Sequence, residues 1–316
     1  MSVAQRKITV VGAGFVGMSA AQKCAEKELA AEVCLIDVLE GRPQGIALDL
    51  NQAAAIEGHG ARVVGTNDPA DTRGSDLFLV TAGRPRKPGM SRSDLLEING
   101  RVMVDVAETI RDGSPEAFVI VVTNPLDVMT TLMRARLSFP SPRVLGMAGV
   151  LDAARLSWFI ALETGTSVKD VDAMVLGAHG DSMVPLPSAC TVNGVALGEL
   201  LDRERIEVLA ERTRGGGAEI VNLLKTGSAF YAPAAAAVAM AGSILNDEKR
   251  LLPCSSFLNG HYGFEGVYTG VPAVLGRGGV ERIVEVPLDT EARIQMQRTI
   301  GAIQADLDQL RDLGLL

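Results

Sequence analysis

KITVVGAGFVGMSAA, residues 7–21, carries a short apolar run into three closely spaced glycines and out again into a helical pattern. Gly12, Gly14 and Gly17 form G-x-G-x-x-G, and each glycine has a separate task. Gly12 permits a tight turn, Gly14 lets backbone approach a pyrophosphate, and Gly17 lets the helix pack closely on the strand. The helix N-terminus would then face the phosphates. Glycine turns are common, so the pattern alone says little. Asp37 strengthens it, because this carboxylate ends the second apolar run twenty residues after Gly17 (37 − 17 = 20). There it can accept hydrogen bonds from both hydroxyls of an adenosine ribose and repel a 2′-phosphate. Together the two signals predict a dinucleotide site that prefers NAD to NADP. Exchanging Asp37 and adding a nearby arginine is expected to admit NADP.

Outward from this motif the chain alternates apolar runs with helical patterns. Residues 7–11, 32–36, 61–64, 76–80 and 118–122 read as strands, several nearly continuous in Val, Ile and Leu, as strands buried on both faces are. Helical patterns at 15–27, 45–55, 94–111 and 126–136 lie between and after them. This order predicts an α/β fold, a Rossmann-type doubly wound parallel sheet with right-handed crossovers. Beyond about Gly146 the pattern changes to helices at 151–163, 203–224 and 231–247, with short irregular strands at 171–176 and 189–192. A dinucleotide-binding domain at 1–146 and a mixed α+β catalytic domain at 147–316 are therefore expected. No low-complexity linker separates them, so a tight interface is expected. RGGGAE, 214–219, follows a helical pattern and reads as a bend or close-packing point rather than a phosphate loop. In the tail, Met296, Ile300, Ile303, Leu307 and Leu310 form a stripe that predicts a terminal helix packed on its own body.

With 316 residues the chain is long enough for two ordinary domains, and 47% hydrophobic with 22% charged residues is a globular composition. The net charge of −8 gives no basic footprint for nucleic acid. Cys24, Cys34, Cys190 and Cys254 are scattered and make no C-x-x-C pair, so no metal site is expected and a reduced, cytoplasmic chain is. The alanine-rich 231–245 is too short to span a bilayer and reads as a buried helix.

His179, one of three histidines, stands in VLGAHGDSMVP, 175–185, shortly after LDAAR, 151–155. A neutral imidazole can take a proton from an alcohol, and a carboxylate such as Asp152 can fix its tautomer. Asp152 and Arg155, three residues apart, would share one face of a helix. A guanidinium there can grip a substrate carboxylate through two parallel hydrogen bonds. The set suits oxidation of a 2-hydroxy acid. Singly, the same residues read as a core histidine, a helix cap and a surface arginine; Gly177 and Gly180 beside His179 favour a ligand site. TAGRPRKPGMSRSDLL, 81–96, follows the fourth strand at the edge where open α/β sheets bind ligands. Its glycines and prolines suit a lid, and Arg92 heads the next helix. Arg84 and Lys87 read as solvated cations. In VVTNPLD, 121–127, Pro125 biases Asn124 away from the helical region, which suits either a turn or a contact at the strand end.

These segments make the chain similar to the lactate/malate dehydrogenase family, and most similar to its lactate-dehydrogenase-like malate dehydrogenases. The resemblance runs from Ile8 to about Gly279 and rests on GAGFVG, TAGRPRKPGMSRSDLL, VTNPLDVMT, GVLDAAR, GAHGDSMVPLP and KTGSAFYAPAAA. It implies that His179 accepts and donates the proton, with Asp152 holding its ring. Arg155 would bind the carboxylate beside the reacting carbon, Arg92 would polarise the carbonyl, and Asn124 would hydrogen-bond near it. Arg86 stands where the family reads the far end of the substrate, and arginine there implies a second carboxylate. The cofactor would be NAD, held by Gly12, Gly14, Phe15, Val16, Gly17, Asp37, Asn99, Val122 and Asn124. Arg84 departs from the small or apolar residue of many relatives. A small dicarboxylate substrate, no nucleic-acid or membrane partner, and a homodimer or homotetramer are the implied partners.

Overall fold

A computed structural model describes residues 3–85 and 91–316. β1 (Lys7–Val11) leads into α1 (Phe15–Glu26), then β2 (Glu32–Ile36), α2 (Arg42–Glu57), β3 (Arg62–Thr66), β4 (Leu77–Val80), α3 (Arg92–Gly113), β5 (Phe118–Val121), α4 (Leu126–Leu137) and β6 (Val144–Gly146). These strands lie in the order β3-β2-β1-β4-β5-β6, all parallel. The order reverses between β1 and β4, which opens a crevice at their carboxyl ends. α2 starts three residues before the expected 45, because Pro43 fits the first helical turn, where its missing N–H costs nothing.

The second half begins with α5 (Gly149–Thr164) and five two-residue strands: β7 (Val171–Asp172), β8 (Val175–Leu176), β9 (Val184–Pro185), β10 (Thr191–Val192) and β11 (Val195–Ala196). The helices α6 (Leu197–Leu200), α7 (Arg203–Leu224) and α8 (Tyr231–Leu245) follow. The chain ends with β12 (Arg250–Asn259), β13 (Glu265–Gly276), β14 (Gly279–Ile283) and α9 (Thr290–Asp312).

β12, β13 and β14 extend the parallel sheet beyond β6 as an antiparallel ribbon, giving nine strands in one sheet among the described residues. No strand was expected at 250–283. Most of β12 and β13 is buried on both faces, so the period-two alternation is missing, and each carries a proline. Those prolines, Pro253 and Pro272, face each other in the ribbon. The sheet thus continues across the expected boundary at 146/147.

The two faces of the sheet are covered by separate apolar layers. α1 and α8 pack on one, through Ala20, Cys24, Ala237 and Ala241; α3, α4 and α9 cover the other, through Met103, Met129 and Leu307. Met296, Ile303, Leu307 and Leu310 are buried on α9, so the terminal stripe does pack on its own body. RGGGAE lies inside α7 without a break.

Candidate active site

The glycine loop has the geometry its three positions call for. Gly12 has φ +102°, and a Cβ there would come 2.8 Å from the Ala82 amide nitrogen. A Cβ on Gly17 would sit 1.8 Å from the Gly12 carbonyl oxygen, whereas one on Gly14 would meet nothing within 4 Å. Turn, close packing and open approach therefore fall on the residues expected. Thr81 donates its hydroxyl to the carbonyls of Val11 (3.0 Å) and Gly12 (3.1 Å), which ties β4 to this loop. Asp37 accepts from Ala13 N at 2.6 Å and from Leu39 N at 2.9 Å. A cavity of about 320 Å³ adjoins it, lined by Gly12, Ile36, Asp37, Val38, Pro69 and Val106. An apolar slot ending in a carboxylate fits an adenosine, so the residues present suit a dinucleotide. Phe15 is exposed and stacks on Phe230 with centroids 5.2 Å apart, Val16 packs on the core, and Val122 bonds to the Val80 carbonyl.

Asp152 lies in the first turn of α5, 1% exposed. Its Oδ2 faces His179 Nδ1 at 2.9 Å, and its Oδ1 accepts from Arg155 Nη1 at 3.2 Å. One carboxylate thus holds both groups. An Nδ1–H donated to Asp152 leaves a lone pair on Nε2 to take a proton. Burial works against the His179 imidazolium, but the charge and hydrogen bond of Asp152 outweigh it, so His179 titrates above its ordinary value. Arg155 Nε is buried and lacks a hydrogen-bond partner among the described residues. A substrate carboxylate would supply one.

Two further supports come from distant chain. Gly177 exchanges both backbone hydrogen bonds with Gly270 of β13, and a Cβ on Gly270 would come 2.5 Å from the Gly177 oxygen. Asp127, 3% exposed near the start of α4, accepts from His179 N at 3.3 Å and from Ser255 Oγ at 2.7 Å. Burial pushes the Asp127 carboxyl up to about 6, against the hydrogen bond from Ser255 and the charge of His179. Nothing in its sequence context marks Asp127, since an acid in the first turn of a helix is ordinary. Its partners lie 52 and 128 residues away.

Asn124 stands at the end of β5 in a cis peptide with Pro125, its side chain exposed. Asn99 is 1% exposed, and its amide is committed to backbone: Oδ1 accepts from Arg84 N (2.8 Å), while Nδ2 donates to Arg84 O (3.2 Å) and Asn124 O (2.7 Å). It braces the loop after β4 against the loop after β5. Arg92 opens α3, which Ser91 and Asp94 cap reciprocally. The Arg92 side chain and all of Arg86 and Lys87 lie outside the described residues. On α7, a Cβ at Gly216 would come 3.3 Å from Arg155 Cδ, so the glycine run is a close-packing point that makes room for that arginine. A concavity of about 690 Å³ between α7 and α9 contains none of these groups.

Residues 6–146 match the lactate/malate dehydrogenase NAD-binding domain, and residues 149–313 match the lactate/malate dehydrogenase α/β C-terminal domain. A malate dehydrogenase of Chloroherpeton thalassium is 52% identical over 97% of this chain and 99% of its own length. The solved malate dehydrogenase of Salinibacter ruber is 46% identical, with a TM-score of 0.93 over 98% of this chain and 99% of that one. The lactate dehydrogenase of Cryptosporidium parvum, solved with lactic acid and nicotinamide adenine dinucleotide, is 42% identical, with a TM-score of 0.94 over 97% of this chain and 98% of that one. The chain belongs to the lactate/malate dehydrogenase family.

Proposed function

We propose that this chain catalyses the reversible, NAD-dependent oxidation of (S)-malate to oxaloacetate. The observation that carries the reading is the single buried carboxylate of Asp152, which holds a proton acceptor and a carboxylate-binding guanidinium together. His179 takes the hydroxyl proton at Nε2 as malate is oxidised and returns it to the carbonyl oxygen in the reverse direction. Arg155 receives the carboxylate next to the reacting carbon through its unpartnered buried nitrogen. NAD, when bound, supplies the hydride acceptor. Arg92 polarises the carbonyl, Asn124 hydrogen-bonds beside it, and Arg86 pairs with the far carboxylate. Asn99 reaches the site through the backbone it braces.

Oxidation of lactate or another 2-hydroxy acid is a second reading, favoured by the likeness to the Cryptosporidium lactate dehydrogenase. NADH consumption with oxaloacetate, with pyruvate and with neither decides between them. Preference for pyruvate establishes the second reading; no turnover with either leaves an NAD-binding sensor. Arg86→Gln is expected to cut kcat/KM for oxaloacetate by ~10²-fold, since unpairing a buried charge costs about 3–5 kcal/mol.

The working unit is a homodimer or homotetramer, in which exposed Leu48 and Ile56 of α2 and Trp158 and Leu162 of α5 are covered. Light scattering on the eluting protein tests this, and a monomer refutes it. The division into 1–146 and 147–316 is supported by β6 ending at Gly146. No helix among the described residues is long and apolar enough to cross a membrane, and the four buried free cysteines suit a reducing, cytoplasmic setting.

A further inference from the structure

The turn leaving β2 places opposite charges on either side of one residue of the glycine loop. Asp37 Oδ2 accepts from the Ala13 amide at 2.6 Å, and Arg42 Nε donates to the Ala13 carbonyl at 2.7 Å. The two side chains are five positions apart (42 − 37 = 5) and form no ion pair with each other among the described residues. Arg42 is exposed at the first position of α2, and Nε is its only side-chain nitrogen with a partner among those residues. Its two terminal amino groups are therefore free to bind. Asn67 pins the turn by donating to the carbonyls of Asp37 (2.6 Å) and Leu39 (3.1 Å), and Gln44 in turn donates to Asn67.

The ribose hydroxyl that Asp37 serves is the one that carries the extra phosphate in NADP. A phosphate there would lie against Asp37 and within reach of the Arg42 fork, whose planar donors match phosphate oxygens. We propose that Arg42 is a built-in anchor for a 2′-phosphorylated dinucleotide, silenced by Asp37, so that preference for the unphosphorylated cofactor rests on one carboxylate. No arginine needs to be added, contrary to the expectation from sequence. Glu40, exposed in the same turn, adds a second negative charge, but it is not held at the glycine loop as Asp37 is. The anchoring of Arg42 through Nε matters most, because it holds the guanidinium at the loop before any nucleotide arrives and reduces the ordering cost of binding.

This inference rests on dinucleotide binding at the glycine loop, and its test separates the two. Dissociation constants for NADH and NADPH are measured by nucleotide fluorescence titration on the full-length protein. The variants are Asp37→Ser, Asp37→Asn, and Asp37→Ser combined with Arg42→Ala or Arg42→Lys. The ratio of the two constants within each variant cancels any general loosening of the loop, and Asp37→Asn keeps an acceptor for the Ala13 amide. Either Asp37 variant is expected to shift the ratio towards NADPH by about tenfold or more, the scale of one charge-assisted hydrogen bond. Adding Arg42→Ala should reverse that gain while NADH still binds. Arg42→Lys should keep part of it, since an ammonium has charge but no fork. The gain should also shrink as salt is raised. If the ratio in Asp37→Ser/Arg42→Ala equals that in Asp37→Ser, Arg42 is not the anchor. If neither Asp37 variant moves the ratio, Asp37 does not silence it. Failure of the unsubstituted protein to bind NADH would remove the dinucleotide site itself, and this proposal with it.

Discussion

His179 and Asp127 are two titrating groups joined by the hydrogen bond from the His179 amide to the Asp127 carboxylate, and their pH behaviour can be signed separately. Because Asp152 favours the imidazolium, His179 keeps its proton to a higher pH than the usual ~6.5. In the proposed mechanism oxaloacetate reduction needs that proton, so its kcat/KM should hold at low pH and fall as pH rises through the His179 pKa. Malate oxidation should show the reverse limb. Asp152→Asn removes the charge that raises the pKa, so both limbs should move to lower pH while kcat falls by ~10²-fold or more. Limbs that stay in place would show that Asp152 does not set the His179 titration. Asp127 behaves differently. Its folded value, about 6, stands above the ordinary 3.8, so the native state binds the extra proton. The stability this proton gives is fully present below about 3.8 and is lost as pH rises through about 6. The change is about 3 kcal/mol at most, from ~1.36 kcal/mol for each pKa unit. Urea unfolding of Asp127→Asn and the unsubstituted protein across that window should show the difference, and parallel curves would refute it. His179, Asp152 and Arg155 were legible because motif spacing marked them. Asp127 was not, because its meaning lies in Ser255 and in the His179 amide, neither of which its neighbours in sequence reveal.

At the scale of elements, α7 shows what a helix gives up for its site. Three consecutive glycines, Gly215 to Gly217, weaken its interior, each by about 1 kcal/mol relative to alanine. Gly216 is buried against the Arg155 stem, which lies on α5. Gly216→Ala should therefore stabilise the helix while forcing Arg155 to shift by a few tenths of an ångström. We expect an unchanged or raised Tm together with a several-fold higher KM for malate, on the order of the cost of a misplaced substrate clamp. A higher KM with a lowered Tm would indicate general disruption instead. The glycine run could be read as a packing point from its helical context, but its partner lies 61 residues earlier (216 − 155 = 61) and could not be named. The parallel strands were legible for the opposite reason, since each is a compact apolar run followed by a helix. β12 and β13 were hidden by two-sided burial and by Pro253 and Pro272, since a proline within a run argues against a strand.

Across the whole molecule, the His179–Asp152 pair, which we propose transfers the proton, depends on segments far apart in the chain. The cavity beside Asp37 is completed by residues between Val11 and Ile110. The histidine is not. It is held by Asp127, 52 residues earlier, and Asp127 is held by Ser255 of β12, 128 residues later, while Gly177 is clasped by Gly270 of β13. The same division explains how much of the molecule the sequence discloses: local motifs mark the cofactor crevice well, whereas the clasp around His179 exists only in three dimensions. Its consequence is one of timing. On a ribosome, the chain cannot complete its acid–base pair until the final antiparallel ribbon has emerged, and in a refolding tube that ribbon must close over long loops, which is slow. Regain of turnover after dilution from urea should therefore lag behind regain of NADH binding. Coincident recovery of the two signals would mean that the histidine is set without its clasp.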